Sequence, residues 1–342
     1  MKISTGLRAF ISGCRGERLR AGERALFRDA RPCGLILFKR NCRSPEQVRA
    51  LVDSFRNAVG TDEALVLVDQ EGGRVQRLGP PEWRRYPPAR AFGTLYRRNP
   101  QTGLNAARAC AELMGRELAA LGIDVDCAPV LDVPVPGAHD VIGDRAYGDT
   151  PVQVSAVGRA VADGLLRAGV LPVIKHLPGH GRARVDSHKA LPRIDADLDA
   201  LRLTDFAPFA ALRDMPLGMT GHVVVTAVDP HRAISVSPEG IRRIIRGEIG
   251  FDGLLMSDDI GMRALTGRAG RKAEAVLRAG CDLALHCSGN LREMEAVAAV
   301  APELTGEALA RFHDARARFA PEPAFDADAA ECYLREALAV SA

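Results

Sequence analysis

The chain has 342 residues, of which 47% are apolar and 26% charged, an ordinary balance for a globular protein. Its 46 Lys and Arg residues are scattered among 43 Asp and Glu residues, without the clustered basic face of nucleic-acid-binding proteins. No apolar run approaches the roughly 18 residues that suggest a membrane span. The composition therefore predicts a soluble protein that acts on a small molecule, with neither nucleic acid nor a membrane as its partner.

The eight cysteines contain no C-x-x-C pair, and several, such as Cys127 and Cys281, stand in apolar surroundings where a free thiol behaves as a small hydrophobe. This usage fits a reducing cytoplasm. Residues 11–14, Ile-Ser-Gly-Cys, resemble a lipoprotein cleavage box, but Arg8 interrupts the apolar stretch that a signal peptide requires. We therefore expect a cytoplasmic protein.

Short β-type segments alternate with longer helical segments along the chain, a pattern typical of a parallel sheet with crossover helices. Most of these segments are continuously apolar, as strands buried on both faces should be. There are eight: Arg8 to Ser12, Leu35 to Phe38, Leu65 to Val68, Ile123 to Val130, Leu171 to Lys175, Leu217 to Thr220, Gly253 to Ser257, and Asp282 to His286.

Helix signals lie between the strands. Ser44 as N-cap, Pro45 at the first helical position and Gln47 three residues after the cap predict a helix that runs toward Gly60. Further crossover helices are predicted over Glu112 to Leu121, Val154 to Ala168 and Arg242 to Ile249, and a C-terminal tail helix over about Glu331 to Ala339.

Eight βα units predict an α/β protein with a single (β/α)8 TIM barrel, and we expect residues 1–342 to form one catalytic domain. A barrel typically needs about 250 residues before insertions, which the chain length accommodates. An open doubly wound sheet is the alternative. It is disfavoured because no G-x-G-x-x-G motif follows an early strand.

Unusual polar residues gather just after the predicted strands, where the βα loops of a barrel build its active site. Asp69 to Arg77 follows the third strand, and Lys175 to Gly181 ends and follows the fifth. Asp186-Ser187-His188 comes later in the same loop, and Ser257-Asp258-Asp259 ends the seventh strand. Together these four strings predict one site at the carboxyl ends of the strands.

With Val141 to Arg145 and Ile260-Gly261-Met262 added, these strings make the chain resemble the bacterial β-N-acetylhexosaminidases of the family-three glycoside hydrolases over nearly its full length. The resemblance implies a cytoplasmic enzyme that trims N-acetylglucosamine from cell-wall fragments during peptidoglycan recycling. It implies that Asp258 is the nucleophile, His188 the acid/base and Asp186 its orienting partner. The residues implied to bind the sugar are Asp69, Arg77, Arg145, Lys175 and His176. Leu177 replaces the Phe often found in this family's K-H-F-P-G-H-G string.

The chemistry of the residues supports the same roles. A retaining glycosidase needs a carboxylate that attacks C1 and a second group that protonates the leaving oxygen. Asp258 can supply the first, although a Ser-Asp-Asp string also suits a helix N-cap, and Asp259 is equally a candidate from the sequence alone. His188 can supply the second because an imidazole both donates and accepts a proton near neutral pH. A solvated loop histidine is the alternative interpretation.

The binding residues also have structural interpretations. Lys175 could form an ion pair with an Asp of the barrel mouth, Asp69 could cap a turn, and Arg77 and Arg145 could be surface cations. Trp83 and Tyr147 are candidates for stacking on a sugar face. With one Trp and four Tyr, the chain lacks the aromatic platform of a long polysaccharide cleft, which favours an exo-acting pocket for one sugar.

A metal-dependent barrel hydrolase is a rival, because His176, His180, Asp186 and His188 are metal-ligand types. His176 and His180 have the spacing of H-E-x-x-H, but Pro178 and Gly179 disfavour the helix that would align them, so we interpret His180 as a hydrogen-bond donor that fixes the loop. A sugar-binding protein without activity is the third hypothesis. The preferred hypothesis requires neither metal nor cofactor, and the sequence leaves the oligomeric state open.

Overall fold

The protein is a closed barrel of eight parallel strands in a computed structural model that describes residues 6–185, 187, 190–320, 322 and 324–339. The strands follow the chain in order around the sheet. Their bounds are β1 (Arg8–Gly13), β2 (Pro32–Leu37), β3 (Leu65–Val68), β4 (Val125–Asp126), β5 (Leu171–Leu177), β6 (Leu217–Thr220), β7 (Leu254–Ser257) and β8 (Ala284–His286).

The barrel is closed because β8 has a neighbour on each side, whereas an open sheet would leave one of these junctions unpaired. β1 pairs with β8 in parallel, with Phe10 opposite Ala284. β7 meets the start of β8 through a parallel bridge between Met256 and Leu283. The predicted (β/α)8 barrel is therefore confirmed, and the doubly wound alternative is wrong.

Helices surround the barrel and shield its strands, which is why the strand sequences are apolar on both faces. Ser44 caps α2 through its side chain, which accepts the backbone N–H of Gln47, and Gly60 ends that helix in the left-handed conformation. The helices are α1 (Ala21–Ala30), α2 (Pro45–Val59), α3 (Ala89–Arg98), α4 (Pro100–Ala119), α5 (Pro151–Arg167), α6 (Leu198–Leu203), α7 (Ala207–Ala211), α8 (Ala269–Ala279), α9 (Leu291–Val300), α10 (Gly306–Arg316) and α11 (Ala327–Ala339). A π-helix, Gly240–Glu248, occupies the position of the predicted helix before β7.

Two strands differ by more than two residues from one of their predicted bounds, and four others differ by one or two residues. β4 is confined to two residues because the N–H of Ala128 turns back to the carbonyl of Asp126 and Pro129 has no N–H to donate. β2 begins earlier than predicted, because Pro32 and Gly34 already pair with β1. The C-terminal helix begins at Ala327 rather than near Glu331.

Small elements shape the carboxyl end of the barrel, where the loops gather. Gln70–Gly72 pairs antiparallel with Val75–Gln76 in a hairpin after β3, and a 3-10 helix, Lys39–Asn41, follows β2. Arg193–Ile194 pairs with Val224–Val225 in a second short sheet. Among the described residues, no helix combines the length and apolarity needed to cross a membrane.

Candidate active site

The strand ends bring most of the predicted site residues around one cavity of about 160 Å³. Asp69 directly follows β3, Lys175 and His176 lie near the end of β5, and Asp258 directly follows β7. A volume of this size exceeds that of a single water many times over but is too small for a polysaccharide cleft. Its polar lining consists of Asp69, Glu71, Arg77, Arg145, Lys175, His176, His180, Ser187, Asp258 and Asp259.

The centre of one wall is an ion-pair network around Lys175, whose side chain is 2% exposed. The ammonium lies 3.0 Å from a carboxylate oxygen of Asp69 and 2.6 Å from one of Glu71. Arg77 donates to the other oxygen of Asp69 at 2.9 Å, and Arg145 donates to both oxygens of Glu71 at 2.8 Å. Three cations thus share two carboxylates, so this network by itself carries one net positive charge.

The network keeps every member charged. Burial alone would raise the pKa of Glu71, but Arg145 and Lys175 outweigh it and lower that pKa to about 2. Burial acts in the same direction on Asp69, and Lys175 with Arg77 holds its pKa well below the ordinary value. Burial would lower the pKa of Lys175, yet Asp69 and Glu71 raise it above its usual range. Charged donors and acceptors are therefore fixed in place before any ligand binds.

His176 is held by a buried carboxylate, Asp132. Its Nδ1 lies 2.6 Å from an oxygen of Asp132, so the ring donates from Nδ1 to this carboxylate. The other oxygen of Asp132 accepts the backbone N–H of His180 at 2.7 Å. One carboxylate thus orients His176 and fixes the loop that follows β5.

The interpretation of His180 as a loop-fixing donor is wrong for its side chain. The loop is fixed by its backbone N–H, whereas both ring nitrogens are buried without a hydrogen-bond partner in the described structure. Burial lowers the pKa of His180 to about 4, so the ring is neutral near pH 7. The ring of His180 lies 5.8 Å from that of His176, centroid to centroid.

Asp258 and Asp259 differ in their surroundings, which the sequence could not distinguish. Asp258 lines the cavity and accepts the backbone N–H of Asp259 at 2.7 Å. Burial alone would raise the pKa of Asp258, but His176, His222 and the N–H of Asp259 hold it below its ordinary value. A carboxylate oxygen of Asp259 instead accepts the backbone N–H groups of Gly261 and Cys287. These bonds give Asp259 a structural role in the turn after β7.

His222 supports this turn through a hydrogen bond to its main chain. Its Nε2 lies 3.1 Å from the carbonyl oxygen of Asp259, which can only accept, so Nε2 carries the proton. Nδ1 then accepts the hydroxyl of Ser235 at 2.7 Å. Burial lowers the pKa of His222, which favours this neutral form. The main chain beside Asp258 is consequently held by a fully satisfied buried imidazole.

Asp186 and His188 lie outside the described residues. Ser187, which stands between them in sequence, is buried, lines the cavity, and accepts the backbone N–H of Ala264 through its carbonyl. Within the described part of the chain, no three His, Cys, Asp or Glu side chains converge as metal ligands would. Of the two aromatic candidates, Tyr147 is buried outside the cavity lining, and Trp83 lines a neighbouring pocket.

Sequence reasoning missed Glu71, Asp132 and His222. Glu71 stands inside the Asp69 to Arg77 string, and the presence of a buried Lys175 could have signalled the need for a second carboxylate. Asp132 and His222 follow the fourth and sixth strands, so their positions at strand ends were the available signal.

A charged cavity at the carboxyl ends of eight parallel strands is the arrangement of a (β/α)8-barrel enzyme. Residues 8–320 match the family model described as Glycosyl hydrolase family 3 N terminal domain. The chain therefore belongs to glycosyl hydrolase family 3, and it is a glycoside hydrolase.

Known relatives are similar in sequence or structure to this chain over most of its length. A protein named Beta-hexosaminidase from Alkalilimnicola ehrlichii is 41% identical over 282 residues, which cover 81% of this chain and 80% of the relative. One of the same name from Methylococcus capsulatus is 42% identical over 277 residues, 80% of each chain. NagZ from Neisseria gonorrhoeae, solved in complex with N-trifluoroacetyl-D-glucosamine, superposes with a TM-score of 0.88 at 29% identity, covering 97% of this chain and 98% of NagZ.

Proposed function

We propose that the chain is a retaining exo-β-N-acetylglucosaminidase that removes terminal N-acetylglucosamine from peptidoglycan-derived muropeptides in the cytoplasm, as part of cell-wall recycling. The observation that carries the proposal is the half-buried carboxylate of Asp258, which is held ionised beside a cavity with fixed charges. The names of the relatives, Beta-hexosaminidase, and the N-trifluoroacetyl-D-glucosamine bound by NagZ support the sugar class.

In the first step, a carboxylate oxygen of Asp258 attacks C1 of the sugar, and the bond from C1 to the leaving oxygen breaks. The imidazolium of His188 gives its proton to that oxygen, so the aglycone leaves as an alcohol. A covalent glycosyl-Asp258 results. The depressed pKa of Asp258 suits this role, because only the ionised carboxylate is a nucleophile.

In the second step, His188, now neutral, takes a proton from water as the water oxygen attacks C1, and the bond to Asp258 breaks. Two inversions at C1 leave the product with the substrate's configuration. Asp186 holds one ring nitrogen of His188 in this scheme, which fixes the tautomer and stabilises the imidazolium.

The sugar is bound by Asp69, Arg77, Arg145, Lys175 and His176 in this proposal. The carboxylate of Asp69 accepts hydroxyl protons, and Lys175 and Arg77 donate to hydroxyl oxygens while they keep Asp69 ionised. Because these groups already satisfy one another, binding requires little reorganisation, which is how preorganised polar sites gain affinity. The small cavity suits one terminal sugar, and hence exo action.

We further propose that residues 1–342 form one catalytic domain, with α11 as a tail helix docked on the barrel. Two contacts support this docking. Arg84, from the loop after β3, bonds Glu117 of α4 and Glu331 of α11. Leu334 and Ala337 of α11 are buried in the main hydrophobic core.

An activity panel tests the proposal. The substrates are aryl β-glycosides of N-acetylglucosamine, glucose and N-acetylgalactosamine, each with and without EDTA, and proton NMR follows the anomer released first. We expect hydrolysis of the N-acetylglucosamine substrate, the β-anomer as first product, and full activity in EDTA, because the chemistry uses only protein groups. Activity lost in EDTA and restored by zinc would favour the metal-dependent rival, and binding without hydrolysis would favour a sugar-binding protein.

A further inference from the structure

One wall of the cavity that we propose to bind the sugar is formed by a segment with little regular structure of its own. Residues 131–142, in the loop that follows β4, contain no helix or strand. We name residues 140–145 the wall segment. Val141, Ile142 and Arg145 of this segment line the cavity. Because no strand or α-helix contains these residues, groups from elsewhere in the chain must hold the backbone of the wall segment.

Arg74 binds the backbone of the wall segment from the turn of the hairpin after β3. Its Nη2 lies 2.7 Å from the carbonyl oxygen of Asp140, 2.9 Å from that of Val141 and 3.0 Å from that of Ile142. Its Nε lies 3.1 Å from a carboxylate oxygen of Asp144. A guanidinium can make these contacts together because its donors are spread over a planar fork, whereas a lysine has a single ammonium. Arg74 thus fixes three successive carbonyl groups at once.

Two other guanidinium groups contact carbonyl oxygens of the wall segment, but less closely. Arg90 donates to the carbonyl of Gly143 and Arg145 to that of Val141, each at 3.3 Å. Each of these groups contacts one carbonyl of the segment, whereas Arg74 contacts three over shorter distances. Arg74 is therefore the main side-chain restraint on this backbone in the described structure.

The wall segment in turn holds part of the charge network of the cavity. Arg145 donates to both oxygens of Glu71 at 2.8 Å, and Glu71 belongs to the hairpin whose turn carries Arg74. The hairpin and the wall segment are therefore joined by two bridges that run in opposite directions. Without the bridge from Arg74, the wall segment is free to move away from the hairpin, and Arg145 moves with it.

The backbone of the wall segment leaves room for the guanidinium of Arg74. Gly143 has a φ of +47°, in the left-handed region that favours glycine. A Cβ atom at this position would lie 3.1 Å from Nη2 of Arg74 and would also meet the carboxylate of Asp140. The sequence therefore has a glycine where the segment folds around the guanidinium.

Arg74 itself lies outside the cavity lining. The cavity is lined by the next residue, Val75, and the side chain of Arg74 is 42% exposed. Any effect of Arg74 on a bound sugar must therefore pass through the wall segment.

We propose that Arg74 is a positioning residue that sets the affinity of the cavity for the sugar without touching it. It holds the backbone of residues 140–142 and thereby keeps Val141, Ile142 and Arg145 in the wall. The inference rests on the proposed function, because it takes the cavity as the sugar site. It goes further by assigning a role in sugar binding to a residue outside that cavity.

Steady-state kinetics of Arg74→Ala test the assignment with the aryl β-glycoside that the wild type hydrolyses. We expect KM to rise about tenfold or more, because charge-assisted hydrogen bonds are lost and the wall is no longer preorganised. We expect kcat to stay within about threefold, because the backbone bonds that hold Asp258 go to Asp259 and Thr220, outside the wall segment. Thermal unfolding checks that the variant is folded.

Arg49→Ala is the matched control. Arg49 is similarly exposed, at 46%, but its ion pair is with Glu46 on the same helix, α2. Its replacement should leave KM and kcat at their wild-type values. If Arg74→Ala does not fold, Arg74→Gln takes its place. This variant keeps one amide donor, so we expect a smaller rise in KM, of at least about threefold.

Free guanidinium separates positioning from a general loss of structure. In Arg74→Ala, guanidinium chloride at about 20 mM, far below denaturing concentrations, should lower KM at least about threefold, because the ion can bind the same carbonyl groups. Methylammonium chloride, which has the same charge without the planar fork, should not lower KM. Neither salt should change the kinetics of the wild type or of Arg49→Ala.

A wild-type KM in Arg74→Ala, a fall in kcat without a rise in KM, or a raised KM that guanidinium leaves unchanged would each overturn the assignment. If only the glucose or the N-acetylgalactosamine substrate is hydrolysed, the proposed function fails, and KM for that substrate still decides the role of Arg74. If none is hydrolysed, the Kd of N-acetylglucosamine from calorimetry replaces KM in the same comparison. If the N-acetylglucosamine substrate is hydrolysed and Arg74→Ala keeps the wild-type KM, the positioning role fails alone.

Discussion

Replacing Lys175 with Met would remove one charge from the buried network while nearly preserving side-chain length. Removing one partner of a buried ion pair typically costs about 3 to 5 kcal/mol, because the remaining charge is left uncompensated. Here Asp69 keeps Arg77 at 2.9 Å and Glu71 keeps Arg145 at 2.8 Å. We therefore expect a loss near the lower end, about 3 kcal/mol of the free energy of unfolding at pH 7.

The loss should depend on pH in a defined direction. The folded-state pKa values of Asp69 and Glu71 lie below their ordinary values, so both contribute stability above about pH 4 to 5 that disappears as pH falls through the folded pKa values. Lys175→Met raises both pKa values, since it removes a nearby cation. The difference in the free energy of unfolding between variant and wild type should be largest at pH 7 and should narrow below about pH 5.

Urea unfolding at pH 7, 5, 4 and 3 measures this gap. Lys272→Met is the matched control, because Lys272 is only partly buried and bonds two backbone carbonyls rather than carboxylates, so its replacement should cost about 1 kcal/mol with little change over this range. A Lys175→Met gap under about 1 kcal/mol at pH 7, or one that widens on acidification, would refute the reasoning about the network.

Further expectations concern catalysis. Asp258→Asn should abolish turnover with little loss of folding, whereas Asp259→Asn should mainly lower stability, and near-normal turnover of the first variant would move the nucleophile elsewhere. His188→Ala should slow natural disaccharides by roughly two to four orders of magnitude. With a dinitrophenyl aglycone it should instead show a burst, a trapped glycosyl-enzyme and rescue by azide, and equal slowing of both substrates would exclude the acid/base role. The acid limb of the kcat/KM profile should lie below the ordinary pKa of a carboxyl group, because the pKa of Asp258 is lowered. The profile should also have an alkaline limb, because only a protonated His188 can act as the acid, so a profile without that limb would contradict the scheme. Asp132→Asn should lower kcat/KM about tenfold or more through His176, and wild-type kinetics would show that the bond between them is not needed.

The sequence predicted the barrel because its signals were local and repeated. Continuous apolar runs such as Leu65 to Val68 are too short for buried helices, and Ser44 with Gln47 predicted a capped helix that the structure contains. Strand ends were less predictable. Val125–Asp126 is short because of a turn at Ala128, which depends on one backbone hydrogen bond that no apolar pattern encodes.

The candidate site was predictable where residue types are rare and less so where partners are distant. A Lys at the end of an apolar strand requires an acceptor, and Asp69, 106 residues earlier, was among the candidates. The second acceptor, Glu71, and the Asp132 that orients His176 depend on which loops meet in space. Periodicity assigns a residue to a strand end, but only the closed barrel determines which strand ends face each other.

The pairing of the first strand with the last also concerns the synthesis of the protein. Phe10 of β1 can pair with Ala284 of β8 only after a further 274 residues have been added to the chain. Until then, the edge of β1 that faces β8 is uncovered. At about 5 to 20 residues per second, the nascent chain carries this apolar, unpaired strand edge for roughly 14 to 55 s. Chaperone dependence and codon usage before β8 should therefore affect the yield of folded enzyme more than changes at any surface helix.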